Sequence, residues 1–192
     1  MTAFLNVLMA ALAAVTLDNV IFTYAIGTST LLECAKKPKQ LLSFGFFITE
    51  FSVLASILVY LAEQFTNNTP WGEQALPVVC IAALSVVYIV TLLVIWFAAR
   101  KWFNELKRYV HLSAFNCASL GCLFMNSINQ GTLGERVLFA LSIGIGFMLA
   151  TYLLSINYKK LTSQEVPAAF RGFPASVLYI GIIAMIIYVS KI

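Results

Sequence analysis

The longest apolar stretch of the chain covers residues 75–99 and contains no charged side chain. Its 25 residues are long enough, at about 1.5 Å each, to cross the roughly 30 Å hydrocarbon layer of a bilayer as a helix. Similar apolar stretches recur along the chain. They predict six transmembrane helices, over residues 3–32, 41–62, 75–99, 109–128, 137–158 and 172–190.

The composition places the chain among integral membrane proteins. Hydrophobic residues make up 61% of it and charged residues only 10%, and the mean hydropathy is +0.91, far above the value typical of a soluble domain. The apolar stretches have helical length and lack the short alternation of a membrane β-barrel. We therefore expect an all-α integral membrane protein in one membrane domain, with no room for a soluble catalytic domain.

Basic residues are concentrated in three of the loops between the predicted spans. The loops after the first, third and fifth spans contain Lys36, Lys37, Lys39, Arg100, Lys101, Lys107, Arg108, Lys159, Lys160 and Arg171. Because Lys and Arg accumulate on the cytoplasmic side, these loops are predicted to be cytoplasmic and both termini to lie outside. The net charge of +4 is explained by this bias, and no nucleic-acid partner is expected.

The chain divides into two halves of three spans each, residues 1–99 and 100–192. Three is an odd number, so the two halves would lie in opposite orientations across the bilayer. The first span of each half is irregular, with Asp18, Asn19 and Gly27 in the first half and Asn116, Cys117 and Gly121 in the second. This pattern predicts two inverted three-helix repeats, each with a broken first helix; six uninterrupted helices are the alternative.

Polar side chains inside the predicted spans are candidates for ion handling. A carboxylate at the centre of a span is costly, which draws attention to Asp18 and Glu50. Each is either part of an ion or proton path or a protonated group bonded to a neighbouring helix. Asn19 and Asn116 carry amide oxygens that suit a hard cation, and they suit hydrogen bonds between helices equally well.

Several strings of residues resemble one known family. They are Leu17, Asp18, Asn19, Gly27 and Ala35-Lys36-Lys37 in the first half, then Asn116-Cys117-Ala118, Leu120-Gly121, Gly144-Ile145-Gly146, Met148-Leu149-Ala150 and the most specific one, Val166-Pro167-Ala168-Ala169-Phe170-Arg171-Gly172. By these the sequence resembles the RnfA component of the Rnf electron-transport complex and its homologue, the NqrE component of the sodium-translocating NADH:quinone oxidoreductase. The resemblance covers nearly the whole chain.

The resemblance implies a shared iron-sulfur cluster. In this family two homologous six-helix subunits face each other, and each offers one cysteine per half to a [2Fe-2S] cluster between them. Cys117 matches the ligand of the second half, so it is the predicted iron ligand of this chain. The ligand of the first half falls at Ser29, whose oxygen is a harder donor than a thiolate. Four alternatives are open: Ser29 binds the cluster, Cys34 replaces Ser29, three cysteines alone hold the cluster, or the cluster is absent.

The family's function is implied in the same way. We expect a subunit of a redox-driven ion-translocating oxidoreductase that works in the lipid bilayer with an RnfE-like partner and other Rnf or Nqr subunits, and couples electron transfer to the movement of Na⁺ or H⁺. The alternatives are a stand-alone inverted-repeat ion transporter and a scaffold subunit that has lost its cluster.

Overall fold

The computed structural model describes residues 19–36, 40–66 and 72–189, and in this part of the chain it contains eight helices and no strand. The helices are α1 (Val20–Tyr24), α2 (Thr28–Ala35), α3 (Leu41–Thr66), α4 (Gly72–Ala98), α5 (Phe103–Ala114), α6 (Cys117–Asn129), α7 (Leu133–Leu161) and α8 (Phe173–Val189). The predicted all-α membrane fold is therefore confirmed.

Three helices are long and apolar enough to cross a membrane, namely Leu41–Thr66, Gln74–Ala98 and Leu133–Leu161. They coincide with the second, third and fifth predicted spans and extend past several of the predicted ends, since a helix continues beyond the hydrocarbon layer into the interface. The shorter apolar helix α8 coincides with the sixth span. Residues 3–18 of the first predicted span, including Asp18, lie outside the described residues.

The first predicted interruption is present between α1 and α2. Ala25 and Gly27 both have left-handed backbone conformations, with φ of 55° and 83°. This conformation ends α1 after one turn, so that α2 starts in a new direction. At Gly27 the left-handed conformation causes no strain, because glycine has no Cβ atom.

The second interruption lies at residues 115–116, between α5 and α6. The fourth span was predicted as one irregular segment over residues 109–128. The structure instead has two helices, and Gly121 lies inside the second of them. The helix breaks at Asn116 because this side chain bonds to the backbone of the following turn, which favours the start of a helix over its interior.

Contacts divide the chain into two compact units, one of residues 1–45 with 145–192 and the other of residues 46–144. In the first unit α1 packs against α8, and its core includes Ile21, Leu31, Phe147 and Leu154. These two units are defined by their internal contacts and not by any similarity between halves of the chain. They therefore do not test the predicted repeats at residues 1–99 and 100–192, which stay a prediction.

In the second unit α4 packs against α5 and α6. Its core is formed by the buried side chains Phe47, Phe51, Ala55, Val59, Cys80, Ala83, Leu84, Val87, Ile95, Val110, Ala114 and Leu123. Large apolar side chains of α4 outside this core, such as Val78, Ile89 and Phe97, are exposed. Such a surface is expected of a helix that faces lipid.

Candidate functional site

Asn19 holds the start of α1 and links it to α7. Its Oδ1 accepts a hydrogen bond from the Ile21 N–H at 3.0 Å, and its Nδ2 donates one to the Gly146 carbonyl at 3.0 Å. The side chain is buried, with 3% of its surface exposed. Of the two alternatives that the sequence left open for Asn19, the structure shows the hydrogen bond between helices, together with a capping bond.

Ser29 is the second residue of α2 and its side chain is exposed. Cys34 lies in the last turn of the same helix and is buried, with 1% of its surface exposed. Residues five apart on a helix point about 140° away from each other, which agrees with this difference. A group that binds at the exposed Ser29 would therefore not meet the Cys34 thiol on this helix.

Asn116 and Cys117 form the start of α6. The Asn116 Oδ1 accepts a hydrogen bond from the Ala118 N–H at 3.1 Å, and its Nδ2 has no hydrogen-bond partner among the described residues. Asn116 is 1% exposed, whereas Cys117, the first residue of the helix, is exposed. The structure thus presents the Cys117 thiol at the surface of the chain, on a helix N-terminus whose dipole favours negative charge.

Asn19 and Asn116, which lie in the irregular first spans of the two predicted halves, both cap the start of a helix. Each accepts a hydrogen bond from the backbone N–H two residues further on. Asn116 lies at the break itself, while Asn19 begins the short helix that precedes the first break. Ser29 and Asn19 belong to the first unit, and Cys117 and Asn116 to the second.

Glu50 joins α3 to α4. Its Oε1 accepts a hydrogen bond from the Thr91 hydroxyl at 3.0 Å, at a half-buried position. One of the two alternatives for Glu50, a hydrogen bond to a neighbouring helix, is thus seen in the structure. A role of Glu50 in ion handling stays a prediction.

The buried ion pair between Glu63 and Arg136 was not predicted from the sequence. Arg136 Nη1 lies 2.6 Å from Glu63 Oε2, and the two side chains are 5% and 10% exposed. The pattern of spans had assigned both residues to loops on the outer side. The sequence does contain an indication that Glu63 faces other polar groups. Ser52, Ser56 and Glu63 are spaced so that all three lie on one face of α3.

Arg171 orders the loop between α7 and α8, which contains the string most specific to the resembled family. Its guanidinium donates to the carbonyls of Gln164, at 3.1 Å, and Val166, at 3.1 and 3.3 Å. These hydrogen bonds hold the two ends of the loop segment 164–171 together.

The described residues contain no group of three or more His, Cys, Asp or Glu side chains that could hold a metal ion. The fold and its apolar helices define an all-α integral membrane protein with interrupted helices, and one of these helices begins at an exposed cysteine.

Residues 7–191 match the family model described as "Rnf-Nqr subunit, membrane protein". The chain belongs to the Rnf-Nqr family, which confirms the resemblance. Similar proteins, each named as the A component of an ion-translocating oxidoreductase complex, come from Tolumonas auensis, 24% identical over 94% of both chains, and from Syntrophotalea carbinolica, 26% identical over 94% of this chain and 93% of the other. One from Aliivibrio fischeri with the same name is 23% identical over 93% of this chain and 92% of the other.

Proposed function

We propose that the chain is a membrane subunit of an ion-translocating oxidoreductase complex and has no activity of its own. The proposal is supported by the family match along nearly the whole chain and by relatives that carry this name and align over almost their full length. In this proposal the chain pairs with a homologous six-helix subunit in a bacterial inner membrane, with both termini periplasmic.

The observation that carries the redox part of the proposal is the exposed Cys117 at the start of α6. A cysteine buried in the core, like Cys122 on the same helix, would be an ordinary packing residue. A thiol at the surface and on a helix N-terminus suits a thiolate that binds a group shared with a neighbouring subunit. Asn116 positions this thiol, because its capping bond fixes where the helix begins.

In this proposal Ser29, where the resemblance places the ligand of the first half, is the second ligand of this chain; its side chain is exposed as well. A bound [2Fe-2S] cluster would supply one-electron transfer. Cys117 would bind it through sulfur and Ser29 through oxygen, and the partner would supply the remaining ligands. Cys34 is the weaker candidate, because it is buried on a different side of α2.

Ion movement in the proposed complex is of Na⁺ or H⁺. In this chain Glu50 is the candidate acid that the structure describes, and its Thr91 partner connects two membrane-spanning helices. Asp18, Asn19 and Asn116 remain candidates from the sequence.

The proposal is tested on the purified complex with Cys117→Ser and the matched control Cys122→Ser, a buried cysteine of the same helix. Iron content and the electron paramagnetic resonance spectrum of the reduced complex are measured with electron transfer. We expect Cys117→Ser to lose the cluster signal and electron transfer, and Cys122→Ser to keep both.

A complex that transfers electrons equally well with Cys117→Ser would overturn the redox role of this residue. A wild-type complex without iron at this subunit pair would leave the scaffold alternative if the subunit is still needed for assembly. It would leave the transporter alternative if the chain moves ions without partners.

A further inference from the structure

Tyr88, a half-buried residue of the apolar helix α4, contacts the last turn of α5 at two points. Its hydroxyl shares a hydrogen bond of 2.6 Å with Nδ1 of His111, and the centroids of the two rings lie 5.4 Å apart. The Tyr88 ring also packs against Phe115, with a centroid distance of 5.3 Å and an angle of 56° between the ring planes. All three residues belong to the second unit.

His111 and Phe115 are the two ends of one helical turn. The Phe115 N–H donates to the His111 carbonyl at 3.3 Å, and Phe115 is the residue directly after α5. Asn116 and Cys117 follow at once, so the contacts of Tyr88 end two residues before the predicted iron ligand. Tyr88 therefore holds the part of α5 that leads directly into the break.

Two further hydrogen bonds at the break connect it to other groups than α4. The Ala118 N–H donates to the Asn116 Oδ1 at 3.1 Å, and the Ser119 hydroxyl donates to the Ser113 carbonyl at 3.4 Å. The first of these bonds caps α6, and the second joins α6 to α5. They fix how the two helices meet, whereas the bond between the tyrosine and the histidine ties the end of α5 to a helix long enough to cross the membrane.

A hydrogen bond fixes the orientation of a helix more closely than an apolar contact does. Its strength depends on the angle at the hydrogen atom, whereas the hydrophobic effect is non-directional. Val110 and Ala114, apolar residues of α5, are buried and keep this helix close to the core, but by themselves they restrict its rotation less. The bond between Tyr88 and His111 fixes both the rotation and the height of the last turn of α5.

We propose that Tyr88 and His111 are positioning residues for Cys117. Their hydrogen bond fixes the last turn of α5, and the short connection through residues 115 and 116 transmits this position to the first residue of α6. The inference rests on the proposed function, in which Cys117 binds a group shared with a partner subunit. A shared ligand has to keep its place relative to the partner's ligands, and hydrogen bonds behind the ligating residues supply this kind of support in metal sites.

The first test measures the order of the break in the purified full-length chain and needs no cluster. A thiol-specific nitroxide spin label is attached to Cys117, which is exposed, whereas Cys34, Cys80 and Cys122 are buried; Cys117→Ser serves as the labelling blank. The line shape of the electron paramagnetic resonance spectrum reports how freely the label moves. Tyr88→Phe removes the hydroxyl and keeps the ring, and we expect it to raise the mobile fraction of the label roughly twofold or more, as the loss of one hydrogen bond allows.

Tyr179→Phe is the matched control, because it removes a tyrosine hydroxyl that also joins two helices, but in the first unit. The Tyr179 hydroxyl accepts a hydrogen bond from the Asn157 Nδ2 at 2.8 Å and thereby links α8 to α7. This control should lower the melting temperature about as much as Tyr88→Phe does, and it should leave the mobility of the label unchanged.

Substitutions of the histidine test the other side of the same bond. His111→Leu removes the bonding nitrogen and should raise the mobility of the label as Tyr88→Phe does. His111→Asn keeps a polar side-chain atom near the position of Nδ1 and should restore most of the wild-type line shape. A loss of order in His111→Leu with recovery in His111→Asn is expected of a positioning hydrogen bond and not of a change in side-chain volume.

The second test is made on the purified complex. For Tyr88→Phe we expect an iron content near that of the wild type and broader electron paramagnetic resonance lines of the reduced cluster, because Cys117 then occupies a wider range of positions. Tyr179→Phe should give the wild-type spectrum.

The inference is overturned if Tyr88→Phe and His111→Leu leave the mobility of the label unchanged. It is also overturned if Tyr179→Phe raises the mobility equally, since that would indicate a general loosening of the chain. A wild-type complex without iron would overturn the proposed redox role, and the label would then still decide whether the pair positions Cys117. A complex with a cluster whose lines keep their width in Tyr88→Phe would overturn this inference alone.

Discussion

Breaking the buried ion pair should destabilise the second unit strongly. Arg136→Met leaves the Glu63 carboxylate buried without its partner, and Glu63→Gln does the same to the guanidinium. Removing one member of a buried pair costs about 3–5 kcal/mol, and for a chain of this size 1 kcal/mol shifts the melting temperature by about 2–4 °C. Each single variant should therefore melt roughly 6–20 °C below the wild type.

The double variant should recover much of this loss, because no charge stays buried alone. It still lacks the bond from Arg136 Nε to the Gly131 carbonyl and the contact with Tyr60, which together account for about 1–3 kcal/mol. Thermal unfolding of the full-length chain in detergent gives the melting temperatures of the two single variants and of the double variant. The exposed Lys160→Gln serves as the control, expected within about 0.5 kcal/mol of the wild type.

Single variants that melt within roughly 2 °C of the wild type, a shift that corresponds to less than about 1 kcal/mol, would refute this expectation. Such a result would mean that water reaches the pair freely. A double variant whose loss equals the sum of the two single losses would refute it as well, since coupled partners cannot behave additively.

Two further substitutions test a helix contact and a helix cap. Gly144→Ala places a Cβ atom against the Thr49 side chain, so it should cost about 1–3 kcal/mol in thermal unfolding. The control Gly134→Ala, on the same helix, meets nothing within 4 Å and should be neutral or stabilising. Equal losses of stability in the two variants would contradict the close contact between Gly144 and Thr49. Asn116→Ala removes the cap of α6 and should cost about 1 kcal/mol, while Asn116→Ser, which keeps an acceptor oxygen, should cost less; a smaller loss for Ala than for Ser in the same assay would contradict the capping role.

The fold class and most helix positions could be predicted from the sequence because the bilayer allows few solutions. A backbone in lipid must satisfy its own hydrogen bonds, so a long apolar run such as residues 75–99 has to form a helix. The position of the second break was harder to predict. Glycine and asparagine both disfavour a helix interior, and only the structure shows that Asn116 caps a new helix while Gly121 lies within it.

The sequence could predict only those features of the candidate site that depend on a residue and its neighbours along the chain. Exposure of Cys117 and burial of Cys34 depend on which face of a short helix packs inward, and no periodicity is readable over eight residues such as those of α2. The pairing of Glu63 with Arg136 joins helices that are far apart in sequence. Charge patterning along the chain assigned both residues to water-exposed loops, because it counts charges and carries no information about tertiary contacts.

The interrupted helices connect the fold to the proposed function through their backbone amides. Each break leaves the first N–H groups of a new helix without a partner inside that helix, which is costly within a bilayer. The Asn116 side chain satisfies only the Ala118 N–H of α6. The exposed Cys117 thiol lies at this same helix N-terminus. Because the dipole of a helix N-terminus favours a negative charge, an anionic iron-sulfur cluster bound through Cys117 in the proposed complex would offset part of the cost of the break, which an uninterrupted helix would not incur.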